Sequence, residues 1–227
     1  MFQTFFIEPI FNLLILLYKY VAFEDLGLAI IALTILIRFA LYPLFYKGMR
    51  TQSIMQKLQP EIKKVQKENK DDREAQALAL MAVYKKNNVN PFSSFLYLFI
   101  QLPILLAMYQ VFRGDITSQL TTSLYAFISA PSTVHATLFN LVDLTKASII
   151  VVALAVIAQY IQGRLTLGAA KKEAKGIAQY MVFLGPAITL LILPQLSAAV
   201  GIYWVTNSVF SIFQQQRINK SINQKEK

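Results

Sequence analysis

A single arginine, Arg38, stands inside the apolar run Leu28–Phe45. A guanidinium keeps its charge, and holding one at mid-bilayer depth costs roughly 3 kcal/mol or more. No Asp, Glu, Lys or His lies in the other spanning cores expected below, so they offer no ionic partner. Arg38 is therefore expected to face water held inside the protein, or a charge that something else supplies. Other polar residues fall in register with it. Thr34 sits one turn earlier on the same face. Tyr203, Asn207, Ser211 and Gln214 fall within about 80° of helical angle and form one stripe. Gln159 and Gln162 share a face, Gln101 interrupts another apolar run, and Trp204 lies several residues into the last one. Amides and hydroxyls at such depth also glue helices together, at about 0.6–2 kcal/mol each. That reading stays open for Gln101, Asn207 and Thr34. A wet cavity lined by Arg38, Gln162, Asn207 and Tyr203 accounts better for the set.

The elements that must carry these residues are helical and membrane-embedded. Of the 227 residues, 56% are hydrophobic, and the excess is gathered into blocks near the roughly 20-residue spanning length. Alternating ten-residue segments of a transmembrane barrel are not seen. The expected fold class is an all-α polytopic membrane protein with five transmembrane helices at 26–46, 91–112, 147–166, 177–193 and 197–213. Pro194-Gln195-Leu196 is read as a tight turn between the last two, and Pro43, Pro103 and Pro186 as kinks. The chain has no Cys and one His, His135, which removes thiolate and histidine-cluster chemistry. No phosphate-cradling glycine loop and no nucleophile–base pair appears in the spans. The expectation is no enzyme, no cofactor and no metal.

Charge orients the chain. Segments 47–90, 164–176 and 214–227 carry 18 of the 22 Lys and Arg, against three in 1–25, 113–146 and 194–196. The positive-inside rule puts the first set in the cytoplasm and the N-terminus outside. The net charge of +10 then lies on a face suited to anionic headgroups, ribosomal RNA or acidic proteins.

Five segments lie outside the spans. Phe5–Phe23 places Glu8, Asn12 and Lys19 on one narrow stripe. It reads as an interfacial amphipathic helix within 1–25, on the outer side, or as a sixth span with that stripe turned inward. It lacks a basic leader and a small-residue cleavage site. Segment 47–90 reads as a cytoplasmic helical hairpin. Ile54, Leu58, Ile62 and Val65 lie on one face, Asp71-Asp72 makes the turn and N-cap, and Leu80 and Tyr84 follow. It is either a solvated loop or a docking arm. Segment 113–146 is a polar outer loop, 167–176 a cytoplasmic loop and 214–227 a basic cytoplasmic tail.

Several stretches, in order, resemble the YidC insertase family. They are Ile37-Arg38-Phe39-Ala40-Leu41-Tyr42-Pro43-Leu44, Leu58-Gln59-Pro60-Glu61-Ile62-Lys63-Lys64, Asn90-Pro91-Phe92 and Ile100-Gln101-Leu102-Pro103-Ile104. Gly201-Ile202-Tyr203-Trp204-Val205-Thr206-Asn207 and Phe210-Ser211-Ile212-Phe213-Gln214-Gln215-Gln216 complete the set. The resemblance covers nearly the whole chain. It implies a five-helix core around a hydrophilic groove, closed on the outer side and open to cytoplasm and lipid. In that scheme Arg38 is the groove arginine, and Gln162, Tyr203 and Trp204 line the groove. The implied clients are nascent membrane proteins, inserted alone or with the Sec translocon. The ribosome and membrane lipids are the other implied partners; no small-molecule substrate and no DNA is expected. The implied location is the bacterial inner membrane. A large outer domain and a lipobox cysteine, each found in part of that family, are not seen, and the final loop Leu193–Gly201 spaces its glycine differently.

Two rivals are weighed by the same residues. A secondary transporter would show internal repeats or acidic coupling residues within spans. A lipid scramblase would use the same groove for headgroups, and loss of a defined set of small membrane proteins on depletion would separate it from an insertase.

Overall fold

The computed structural model describes residues 1–90, 93–113, 116–167 and 177–224. Most of the expected loop 167–176 and the Pro91-Phe92 pair of the quoted motif lie outside the described residues. A π-helical turn, Gln3–Ile7, leads into α1 (Glu8–Tyr20). Asp25 then caps α2 (Leu26–Ala40), its carboxylate accepting from Leu28 N–H at 2.8 Å. The expected span 26–46 does not continue straight. It breaks at Leu41 and turns by 75° into α3 (Tyr42–Lys57), with Pro43 in the first turn of the new helix. Proline lacks the N–H that an interior position needs, so it starts a helix more readily than it bends one.

The hairpin follows as α4 (Gln59–Glu68) and α5 (Arg73–Lys86). Asp72 accepts from the N–H groups of Glu74 and Ala75 at the start of α5. Leu58, Ile62 and Val65 meet Leu80, Val83, Tyr84 and Val89 in a small apolar cluster of their own. Next come α6 (Ser93–Arg113), α7 (Ile116–Thr122) and a two-stranded antiparallel ribbon, β1 (Thr137–Leu138) with β2 (Val142–Asp143). The chain continues through α8 (Ile149–Leu167) and α9 (Ile177–Ile192), then a 3-10 turn at Leu193–Gln195 and α10 (Ala198–Gln224). Pro103 and Pro186 lie inside α6 and α9. Both α9 and α10 pack on α8, so a common third helix holds the two that the turn joins.

Among the described residues, α8 alone is long and apolar enough to cross a membrane unaided. The α2–α3 pair passes only as a bent unit, and Phe99–Arg113 and Val182–Gln195 are shorter apolar stretches. The last expected span, 197–213, has no boundary at its inner end, because α10 runs unbroken to Gln224.

The polar stripe of the N-terminal helix meets protein rather than water. Asn12 is 2% exposed, donates to Ser123 C=O and accepts from Tyr125 N–H. The Lys19 ammonium donates to the Ser129 carbonyl, and Tyr18 hydroxyl accepts from His135 N–H. The loop at 123–135 thus docks on α1, because its backbone groups need partners that this stripe supplies. The apolar side of α1 (Phe11, Leu14, Ile15, Tyr18) is buried in the main core with Leu26, Ile30 and Leu33 of α2. Gly27 admits the ribbon, since a Cβ there would stand 2.5 Å from Leu138 Cβ.

Candidate functional site

Arg38 occupies the last turn of α2, where the helix's unpaired carbonyls favour a cation. Its side chain is 1% exposed. Side chains from α3 and α10 enclose it. Nε donates to Asn207 Oδ1 at 2.7 Å, and Nη2 donates to Ser211 Oγ at 2.6 Å and to Asn207 C=O at 3.3 Å. The 75° turn at Leu41 swings Phe45 back over the guanidinium, 4.2 Å from its carbon to the ring centroid, and the Phe210 ring stands at 6.0 Å. Hydrogen bonds to a charged group contribute about 1.5–3 kcal/mol each. A desolvated cation over an aromatic face adds about 2 kcal/mol. Together these offset an intramembrane cost of roughly 3 kcal/mol or more, without a carboxylate. No acidic side chain lies within ion-pair distance of Arg38 among the described residues. Nη1 has no hydrogen-bond partner among them.

The polar residues continue along one face of α10. Toward the N-terminal end, Tyr203 Oη accepts from Gln101 Nε2 of α6 at 2.6 Å. The Arg38 pairings with Asn207 and Ser211 follow. Beyond them Gln215 Nε2 donates to Ser53 Oγ of α3 at 2.7 Å, and Asn219 Nδ2 donates to Leu165 C=O of α8 at 2.8 Å. Gln214 is buried between these levels, and neither its Nε2 nor its Oε1 has a partner among the described residues.

The expected groove residues divide. Arg38, Asn207, Tyr203 and Gln101 lie on or against that face. Thr34 is on the Arg38 side of α2, but its hydroxyl donates to Ile30 C=O of its own helix at 2.6 Å. Trp204 packs beside Val152, Ala155 and Leu193, on the α8 side of α10. Gln159 points to α9, where a Cβ on Gly185 would stand 3.1 Å from its Oε1. Gln162 is half-buried on α8, and no hydrogen bond joins it to Arg38 among the described residues. Phe45, Ser53 and Gln215 were not expected. Phe45 and Ser53 share a face of α3 with Met49 at four-residue spacing, but the sequence does not say that this face meets α10.

The arrangement is a set of donors and acceptors around one permanent cation. Among the described residues no group of three or more His, Asp or Glu could hold a metal ion.

Residues 16–226 match the family described as 60Kd inner membrane protein. A Bacillus anthracis protein named membrane protein insertase YidC 2 is 32% identical over 201 residues, covering 86% of this chain and 72% of that protein. The chain belongs to the YidC family. Other YidC proteins match over a smaller share of their own length. That of Rickettsia bellii is 31% identical over 94% of this chain and 38% of the relative. That of Caulobacter vibrioides is 32% identical over 93% and 36%. The chain thus spans little more than a third of these longer YidC relatives. Among solved structures, an active YidC insertase crystal structure with its first transmembrane domain resolved superposes with a TM-score of 0.61. It shares 22% identity, covering 93% of this chain and 45% of that one, which supports a common YidC fold.

Proposed function

We propose that the chain is an insertase that moves short polar flanks of nascent membrane proteins past Arg38 and releases their hydrophobic segments into lipid. The observation that carries this is a buried guanidinium with no carboxylate in reach and one N–H group unpartnered among the described residues. An acidic flank would supply the missing charge, and the Asn207 and Ser211 groups would replace part of its hydration. The hydrophobic segment then gains its burial energy in lipid. A membrane potential positive outside draws an acidic flank across at about 2.3 kcal/mol per charge per 100 mV.

The supporting frame is a bacterial inner-membrane protein of five spans, with its N-terminus outside and its basic faces in the cytoplasm. The hairpin 47–90 is a docking arm in this reading. The ribosome and the Sec translocon are partners that the basic cytoplasmic surface suits.

The test is insertion of a single-span protein into liposomes holding the purified chain. Its flank is made acidic in one version and neutral in the other. Arg38→Ala should lose far more activity on the acidic flank, and Arg38→Lys should retain part of it, keeping the charge without the planar fork. Equal losses on both flanks would overturn charge recognition. No insertion by the wild-type chain would overturn the insertase reading.

A further inference from the structure

We infer that Gln214 contacts the client directly, its side-chain amide pairing with the backbone of an extended polar flank beyond Arg38. This rests on the insertase reading and names a residue which that reading leaves without a role. Gln214 is 2% exposed, yet neither amide atom has a partner among the described residues. Such a group costs stability unless something completes it. In its neighbour Gln215 the Nε2 is satisfied, donating to Ser53 and Asn219, and only Oε1 lacks a partner among the described residues, whereas in Gln214 both atoms do. Gln214 lies seven residues beyond Asn207, two helical turns on the same side, about 10 Å along the axis. A flank of three or four extended residues would cover that distance from the guanidinium. A primary amide offers N–H donors on one side and an acceptor oxygen on the other, the complement of the C=O and N–H of an extended backbone, and it reads no side chain. That suits a site handling many flanks in turn. Arg38 would select charge while Gln214 holds whatever backbone follows.

Beside this level of α10 lies α3. α3 presents Phe45, Met49 and Ser53 to α10; Phe45 covers Arg38, Met49 packs on Ile218 and Ile222, and Ser53 holds Gln215. Gln56 Oε1, also on α3, is buried without a partner among the described residues. Both α3 and α6 pack on α10, so a client would reach Gln214 by parting α10 from these neighbours, and the far face of α3 (Pro43, Leu44, Lys47, Gln52) is exposed.

The experiment uses the full chain in liposomes and a single-span client with a polar flank. Gln214→Met keeps length and removes both hydrogen-bonding atoms; Gln214→Asn keeps the amide. Gln214→Met should melt no lower than wild type, because a buried unpaired amide is gone, yet insert roughly five- to tenfold more slowly. Gln214→Asn should recover part of that loss. A photoreactive residue at position 214 should crosslink to the client flank when insertion is arrested, and this arm decides if Gln214→Met fails to fold. Wild-type insertion rates in Gln214→Met, or crosslinks to lipid and water adducts alone, would overturn the inference. Failure of wild type itself to insert would instead count against the insertase reading.

Discussion

Arg38 donates twice to the same residue, from Nε to the Asn207 side-chain oxygen at 2.7 Å and from Nη2 to its backbone carbonyl at 3.3 Å. The Asn207 carbonyl also accepts from Ser211 Oγ at 2.8 Å, so one peptide oxygen ties α2 to α10 and steadies the hydroxyl beside it. Asn207→Leu should strand Nε in a buried setting and cost about 1.5–3 kcal/mol, seen as a lower melting temperature in detergent. Asn207→Asp should raise the melting temperature by pairing the guanidinium internally. The same variant should slow insertion of acidic flanks, since the charge is then already satisfied.

The proposed orientation is open to chemical labelling. The chain contains no cysteine, so single introduced cysteines report without background. Ser118, Gln195 and Gln66 are all exposed. Ser118→Cys and Gln195→Cys should react with an impermeant maleimide from outside intact cells, and Gln66→Cys only after lysis.

The hairpin's small cluster predicts low local stability. Asp72 supplies both side-chain bonds at the start of α5. Asp72→Ala should cost about 1 kcal/mol there, visible as faster hydrogen exchange in α5 while α8 and α10 are unchanged.

In the outer ribbon, the Asp143 carboxylate accepts from Thr145 hydroxyl and N–H and pairs with Lys146, which holds it down to about 2. A carboxyl depressed on folding stabilises at pH values above its ordinary range, and that contribution fades as pH falls toward 2. In a carboxyl-carbon NMR titration, Thr145→Val should move the Asp143 midpoint upward, because the hydroxyl bond is the largest cause.

Helical periodicity carried much of the site. Tyr203, Asn207, Ser211 and Gln214 were legible as one face because a straight helix converts spacing into direction, and α10 is unbroken through all four. For Trp204 and Gln159 the sequence does not say which neighbour each face meets; α8 lies beside the first and α9 beside the second. Phe45 and Ser53 were out of reach for another reason. Their position over α10 depends on the turn at Leu41, which is decided by where Pro43 starts a helix. The stripe on α1 was visible, but its partner, the backbone of the outer loop, carries no side-chain signal.

That outer loop has a mechanical consequence. It is bonded to α1 through Asn12, to α2 through Asp25, which accepts from Phe139 N–H, and to α10, whose Ala198 and Ala199 N–H groups donate to the Lys146 and Leu144 carbonyls. Three helices are thereby stapled at one end. At the other end α2 gives way to an elbow, and α3 packs on α6 and meets α10 through a thin apolar seam and the Gln215–Ser53 bond. A frame fastened at one end is a lever: any parting of α3 from α10 would grow with distance from the staple, and the meeting of Gln215 with Ser53 is far from it.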